Sequence, residues 1–129
     1  MVKTIYGHSS LLWNKARNEA AVILKDVASK GMQITYGELA RKIKSIYFTD
    51  EDCEYAIPSL VGKLSVQADS RGQGLISVLV VNKDTRFPGK GLCTLAKDLG
   101  RRFKDNEKFC IEETKQVWAE HKSKKRRVK

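Results

Sequence analysis

Cysteine is scarce in this chain of 129 residues, and the three present, Cys53, Cys93 and Cys110, exclude two common scaffolds at once. An odd count with no Cys-x-x-Cys spacing supports neither a disulfide framework nor a zinc site, and it fits a reducing cytosol. Histidine is scarcer still, with only His8 and His121. No apolar run approaches the ~20 residues needed to cross a bilayer, so no membrane role is expected. Met1 to Ser10 lacks the apolar core of a signal peptide. No set of residues spells out a reaction, and no cofactor or metal is implied. The length suits one domain, expected over residues 1–121, followed by a basic tail at 122–129.

Charge is abundant, and its distribution matters more than its total of +10. Residues 1–82 carry 10 basic and 8 acidic groups, whereas 83–104 carry 7 and 2. Residues 105–121 reverse the balance with 2 basic and 5 acidic, and Lys122, Lys124, Lys125, Arg126, Arg127 and Lys129 then add six positive charges. Over half the excess therefore lies in a tail too charged to pack, which is expected to be disordered in isolation. Basicity alone is weak evidence for a folded nucleic-acid-binding face.

The spacing of apolar residues predicts a mainly α protein with a small β component. Ser9 or Ser10 can cap a helix to about Lys30 that buries Trp13, Ala16, Ala20, Ile23, Leu24 and Val27, with Gly31 at its exit. Thr35-Tyr36-Gly37-Glu38 matches a capping box opening a helix from Tyr36 to about Ser45. After a connection over 46–52, longer than the tight turn of a minimal helix-turn-helix, a third helix should bury Ala56, Ile57, Leu60, Val61 and Leu64. Pro58 should break it, leaving the firmer helix from Pro58 to about Val66. The apolar run Leu75 to Asn82 reads as a buried strand, and Asn82 to Gly91 as a basic, glycine-containing wing. A helix with Leu92, Leu95, Ala96 and Leu99 inward follows, closed by Gly100. The last helix, about Asn106 to His121, should place Cys110, Ile111, Thr114, Val117 and Trp118 on one buried stripe.

Three features together resemble the C-terminal DNA-binding domain of the O6-alkylguanine-DNA alkyltransferases and their alkyltransferase-like relatives. They are Ile34-Thr35-Tyr36-Gly37-Glu38-Leu39-Ala40, the helix ending Leu60-Val61-Gly62-Lys63-Leu64, and the strand, wing and glycine-ended helix of 75–100. The resemblance spans about residues 10–100. It implies a winged helix-turn-helix fold and a tyrosine, at Tyr36, that presses on the backbone beside a flipped nucleotide. That family's chemistry needs Pro-Cys-His-Arg at the strand's end, where this chain has Leu79-Val80-Val81-Asn82-Lys83. Its base-stack arginine falls at Pro58. The resemblance therefore implies the scaffold without alkyl transfer, and base flipping is not carried over.

The expected function is non-catalytic binding of nucleic acid, double-stranded DNA before RNA. Lys83, Arg86 and Lys90 on the wing are candidates for phosphate or minor-groove contact, although a solvated turn would also carry them. Ser59 and Lys63 on the third helix, with Ser65 and Gln67 at its end, are the natural base-facing candidates, since serine and glutamine can read base edges. Arg101 and Arg102 are second-choice phosphate contacts, and Lys124, Lys125, Arg126 and Arg127 of the tail would add salt-sensitive affinity. Tyr36 is equally a structural residue with a buried ring and a wet hydroxyl. Asp50, Glu51, Asp52 and Glu54 would repel phosphate but suit a helix N-terminus, so capping is the simpler reading. The alternative is a protein-interaction module that regulates a nucleic-acid enzyme through the acidic loop 46–54. The expected location is the cytoplasm, with the nucleoid, or a nucleus in a eukaryotic cell, as the site of DNA binding.

Overall fold

The computed structural model describes residues 4–122, and this part of the chain is mainly helical, with five α-helices and two small two-stranded sheets. Strands β1 (Thr4–Ile5) and β2 (His8–Ser9) pair antiparallel in a hairpin that the sequence reading did not find. Its two turn residues, Tyr6 and Gly7, have φ of 52° and 80°. Such positive values are what a two-residue hairpin turn demands. Ser9 then caps α1 (Ser10–Ser29), its hydroxyl accepting from the Leu12 N–H at 3.1 Å. Trp13, Ala16, Ala20, Leu24 and Ala28 form its buried stripe.

Strand β3 (Ile34–Thr35) runs directly into α2 (Tyr36–Lys42) through the expected capping box. Thr35 Oγ1 accepts from the Glu38 N–H at 3.1 Å while Glu38 Oε1 accepts from the Thr35 N–H at 2.9 Å. The helix stops short of Ser45 because Glu19, on α1, captures the N–H groups of Lys44 and Ser45, and Ile43 turns inward in extended conformation.

Helix α3 (Asp50–Ser70) is continuous, so the expected break at Pro58 does not occur. Proline costs a helix one backbone hydrogen bond and crowds the preceding turn. Here that cost falls on the outer face, while Ala56, Ile57, Leu60, Val61 and Leu64 hold the inner face in the core on both sides of Pro58.

The expected strand over 75–82 is also corrected. Ile76–Leu79 forms a 3-10 turn, and only β4 (Val80–Val81) is a strand, paired parallel with β3 in the register Ile34 to Val80 and Thr35 to Val81. The ladder can run no further because its partner becomes α2 at Tyr36. Every residue from 74 to 81 is buried, so apolar character is continuous and carries no period that would separate a turn from a strand. Ser65, expected to face outward towards base edges, is instead fully buried and supplies what the turn lacks: its hydroxyl accepts from the Ser77 N–H at 2.9 Å and lies 2.6 Å from the Ser77 hydroxyl.

Helices α4 (Gly91–Asp98) and α5 (Asn106–Glu120) complete one core, in which α1, α3 and α5 all pack on the 3-10 turn. On α5, Cys110, Thr114 and Val117 are buried as expected, but Ile111 of the expected stripe is exposed and Glu113 is buried beside the others. Trp118 is half-buried, its ring N–H donating to the Met32 carbonyl at 3.0 Å. No helix among the described residues is long and apolar enough to cross a membrane.

Candidate functional site

The segment 82–91 is a hydrogen-bonded loop, and the β-hairpin that a wing would require is absent from it. Asn82 pins both sides of the loop: its N–H donates to the Phe87 carbonyl and its carbonyl accepts from the Arg86 N–H, each at 2.9 Å. Its side-chain amide donates to the Phe87 carbonyl at 3.2 Å, and Thr85 Oγ1 accepts from the Phe87 N–H at 3.1 Å. Closing so tight a loop leaves Arg86 with φ of 62°, a conformation that a side chain with a Cβ adopts only at a cost.

Tyr36 fastens this loop to α2. Its hydroxyl oxygen accepts from the Gly89 N–H at 3.0 Å, which leaves the phenolic proton free to donate. Burial holds the phenol above its ordinary pKa, against the opposing pull of the Gly89 hydrogen bond. The ring is therefore a half-buried strut with its donor still in play. A Cβ at position 89 would lie 3.5 Å from the Tyr36 hydroxyl, an ordinary van der Waals contact.

Between the loop, the start of α4 and the outer face of α3 runs an open groove of about 860 Å³. Tyr36, Ser59, Lys63 and Lys90 line it together, although they come from three separate segments of the chain. Arg17 of α1 joins them, so the charged lining is Arg17, Lys63 and Lys90 against Glu54. Tyr6 and Tyr55, both more than half exposed, also border the groove, with Tyr6 stacked on Trp13 at 5.6 Å between ring centroids. Arg17, Tyr6 and Tyr55 were missed from sequence. The only signal for Arg17 was its place one turn after Trp13 on α1.

Lys83 and Arg86 open onto a neighbouring depression of about 700 Å³ that Tyr36 also borders. There Arg41, Lys83 and Arg86 are matched by Glu38, Asp50 and Glu54, so it has no positive excess. The acidic cluster divides by role. Asp52 caps α3 with Thr49, accepting from the Thr49 N–H at 2.8 Å while Thr49 Oγ1 accepts from the Asp52 N–H at 3.2 Å. The same oxygen, Oδ2, lies 3.8 Å from the His8 ring nitrogen Nε2.

Arg101 is corrected. Its guanidinium turns inward, donating to Glu113 Oε2 at 2.7 Å, to Asp69 Oδ1 at 3.1 Å and to the Gln73 carbonyl at 3.3 Å. Burial lowers its pKa, and the hydrogen bonds it donates to Glu113 and Asp69 outweigh that and raise it, so the charge is permanent and already engaged. Gly100, at φ of 92°, makes the sharp helix exit that aims Arg101 this way: the Arg101 N–H donates to the Ala96 carbonyl at 2.9 Å. Arg102 stays exposed with Lys97, Phe103 and Lys104 in a basic recess of about 520 Å³ at the far end of α4. Lys124, Lys125, Arg126 and Arg127 lie outside the described residues.

Two of the thiols, Cys53 and Cys110, are poor nucleophiles here. Where the alkyltransferase motif would place its reactive group, Val80 and Val81 are fully buried and paired to β3. Cys53 borders the groove, but burial, then Asp50 and Asp52, raise its pKa. Cys110 is pushed up to about 12 by burial and by its hydrogen-bonded neighbour Cys93. Thiols held protonated do not attack. Among the described residues no three His, Cys, Asp or Glu side chains are grouped to hold a metal.

No family model, no curated protein and no solved structure matches this chain. The site's chemistry has to speak for itself.

Proposed function

We propose that the protein binds double-stranded DNA without catalysis, through a helix-turn-helix of the winged class in which α2 and α3 form the helix pair and the closed loop 82–91 stands in the place of a wing. The observation that carries this reading is the convergence of Tyr36, Ser59, Lys63 and Lys90 on one groove with a positive lining. Ser59 and Lys63 offer hydrogen bonds to base edges from the outer face of α3, and Arg17 and Lys90 offer phosphate contacts from the two banks. The resemblance of Ile34 to Ala40 and of 75–100 to alkyltransferase-like domains supports the same class. The loss of the reactive motif supports binding in place of reaction.

A gel-shift titration with duplex DNA at two salt concentrations tests this. Retarded complexes at low salt that weaken steeply with added salt are expected. No complex with duplex DNA or RNA at low salt would sink the proposal.

One observation favours the alternative of a protein contact through 46–54, which is a loop only as far as Thr49 and then the start of α3: Tyr47 is 88 % exposed, and the Asp50 and Glu51 carboxylates in the first turn of the helix are exposed as well. Tyr47→Ser and Asp50→Asn variants that abolish the biological effect while duplex binding persists would move the assignment there.

A further inference from the structure

The back of the 82–91 loop carries a second recess, with a chemistry unlike that of the groove. It holds about 320 Å³ between the loop and α5. Phe87, Pro88, Ile111 and Trp118 form apolar walls, Arg86 and Lys115 stand among them, and no carboxylate lines it. We propose that this recess and the outward stripe of α5 dock an acidic segment of a partner protein, with a bulky apolar side chain of that segment filling the recess.

Three observations argue for such a partner. The apolar surface extends past the recess, since Ile111 is 46 % exposed and Met32, whose carbonyl receives the Trp118 ring N–H, is 55 % exposed. Apolar side chains exposed on both sides of the recess suit a partner that covers the recess and its surroundings together. On α5 the positions 108, 111, 115 and 118 recur at alternating spacings of three and four, which places Lys108, Ile111, Lys115 and Trp118 on one face. Lys108 and Lys115 are exposed and make no ion pair among the described residues.

Half of the helix's own acids are occupied elsewhere. Of its four glutamates, Glu113 faces Arg101 and the Leu75 N–H and Glu120 accepts from the Gly74 N–H, while the exposed Glu107 and Glu112 flank the stripe on either side without lining the recess. Positive rims around an apolar seat select an acidic sequence with one large apolar residue, because the rim steers the segment and the seat supplies the burial. Nucleic acid fits the seat less well, since its apolar walls offer few donors for phosphate or base edges. The recess shares only Pro88 with the groove, so this inference does not rest on DNA binding.

The test uses the full chain and short fluorescein-labelled peptides in which one leucine, phenylalanine or tryptophan is flanked on both sides by aspartate and glutamate. An alanine-centred and a lysine-flanked peptide serve as controls, and binding is read by fluorescence polarisation. Saturable binding of at least one acid-flanked apolar peptide is expected, with the alanine-centred peptide about tenfold or more weaker. Lys115→Glu should weaken binding about tenfold. Ile111→Asp should remove binding, and both variants alter exposed positions, so far-ultraviolet circular dichroism should show an unchanged fold.

Absence of binding by every acid-flanked peptide, or equal binding of the alanine-centred one, overturns the proposal. So does competition by duplex DNA with an equal loss of duplex affinity in Lys115→Glu, which would make the surface a nucleic-acid contact. Sedimentation showing a dimer that Lys115→Glu dissolves without peptide would replace the partner by a second copy.

Discussion

Replacing Arg101 by alanine separates a structural cation from a DNA-binding one. The guanidinium bridges Glu113, whose side chain is 5 % exposed, and Asp69, at 26 %. Without Arg101 the Glu113 carboxylate stays buried with one remaining donor, the Leu75 N–H at 2.7 Å. Removing one partner of a buried ion pair costs about 3–5 kcal/mol. Because the Arg101 side chain is itself 25 % exposed, solvent can reach the orphaned carboxylate, and the lower end of that range, about 3 kcal/mol, is expected. An unfolding entropy of ~2.1 cal/mol/K per residue over 129 residues amounts to ~0.27 kcal/mol/K, so the melting temperature should fall by about 10 °C.

Thermal unfolding followed by circular dichroism measures this, and the Glu113→Ala and double variants complete a cycle. The double variant should lose clearly less than the sum of the two singles, since the same interaction is removed only once. Duplex affinity and its salt dependence should be unchanged below the melting range. A melting loss under ~2 °C, additive single effects, or a shallower salt dependence in Arg101→Ala would refute the assignment of this arginine to the fold.

The groove cations should behave in the opposite way: Lys63→Ala and Lys90→Ala should each flatten the slope of log affinity against log salt by about 0.9, with melting temperature unchanged. Ser65→Ala leaves the buried Ser77 N–H without its acceptor and should cost about 1–3 kcal/mol in urea unfolding. Gly74→Ala would set a Cβ 2.9 Å from Val117 Cγ2, and the overpacking should cost about 1–3 kcal/mol by the same assay. Cys110 has a folded pKa raised to about 12, so the thiol favours the folded state below the ordinary thiol pKa. That contribution should fade as pH rises from about 9 towards 12, where the unfolded chain ionises first, and alkylation of Cys110 at neutral pH should require unfolding.

The sequence by itself determined the local elements whose cause is local. The Ser9 cap, the Thr35–Glu38 capping box and the inward faces of α1 and α3 follow from residue types at helical spacing, and all are present. The candidate residues Tyr36, Ser59, Lys63 and Lys90 were also legible, as outward or first-turn positions on predicted elements. What the sequence could not decide is what each residue meets from elsewhere in the chain. Whether Leu75 to Asn82 becomes a strand depends on how long its partner stays extended, and α2 begins after two residues. Whether Pro58 breaks a helix depends on how firmly the opposite face is held in the core. Arg101 and Arg102 are neighbours of identical type, and only the arrival of Glu113 and Asp69 from α5 and α3 draws one inward and leaves the other in water. Charge and hydropathy are properties of a residue, whereas burial and pairing are properties of a place, and the tertiary structure alone assigns the places.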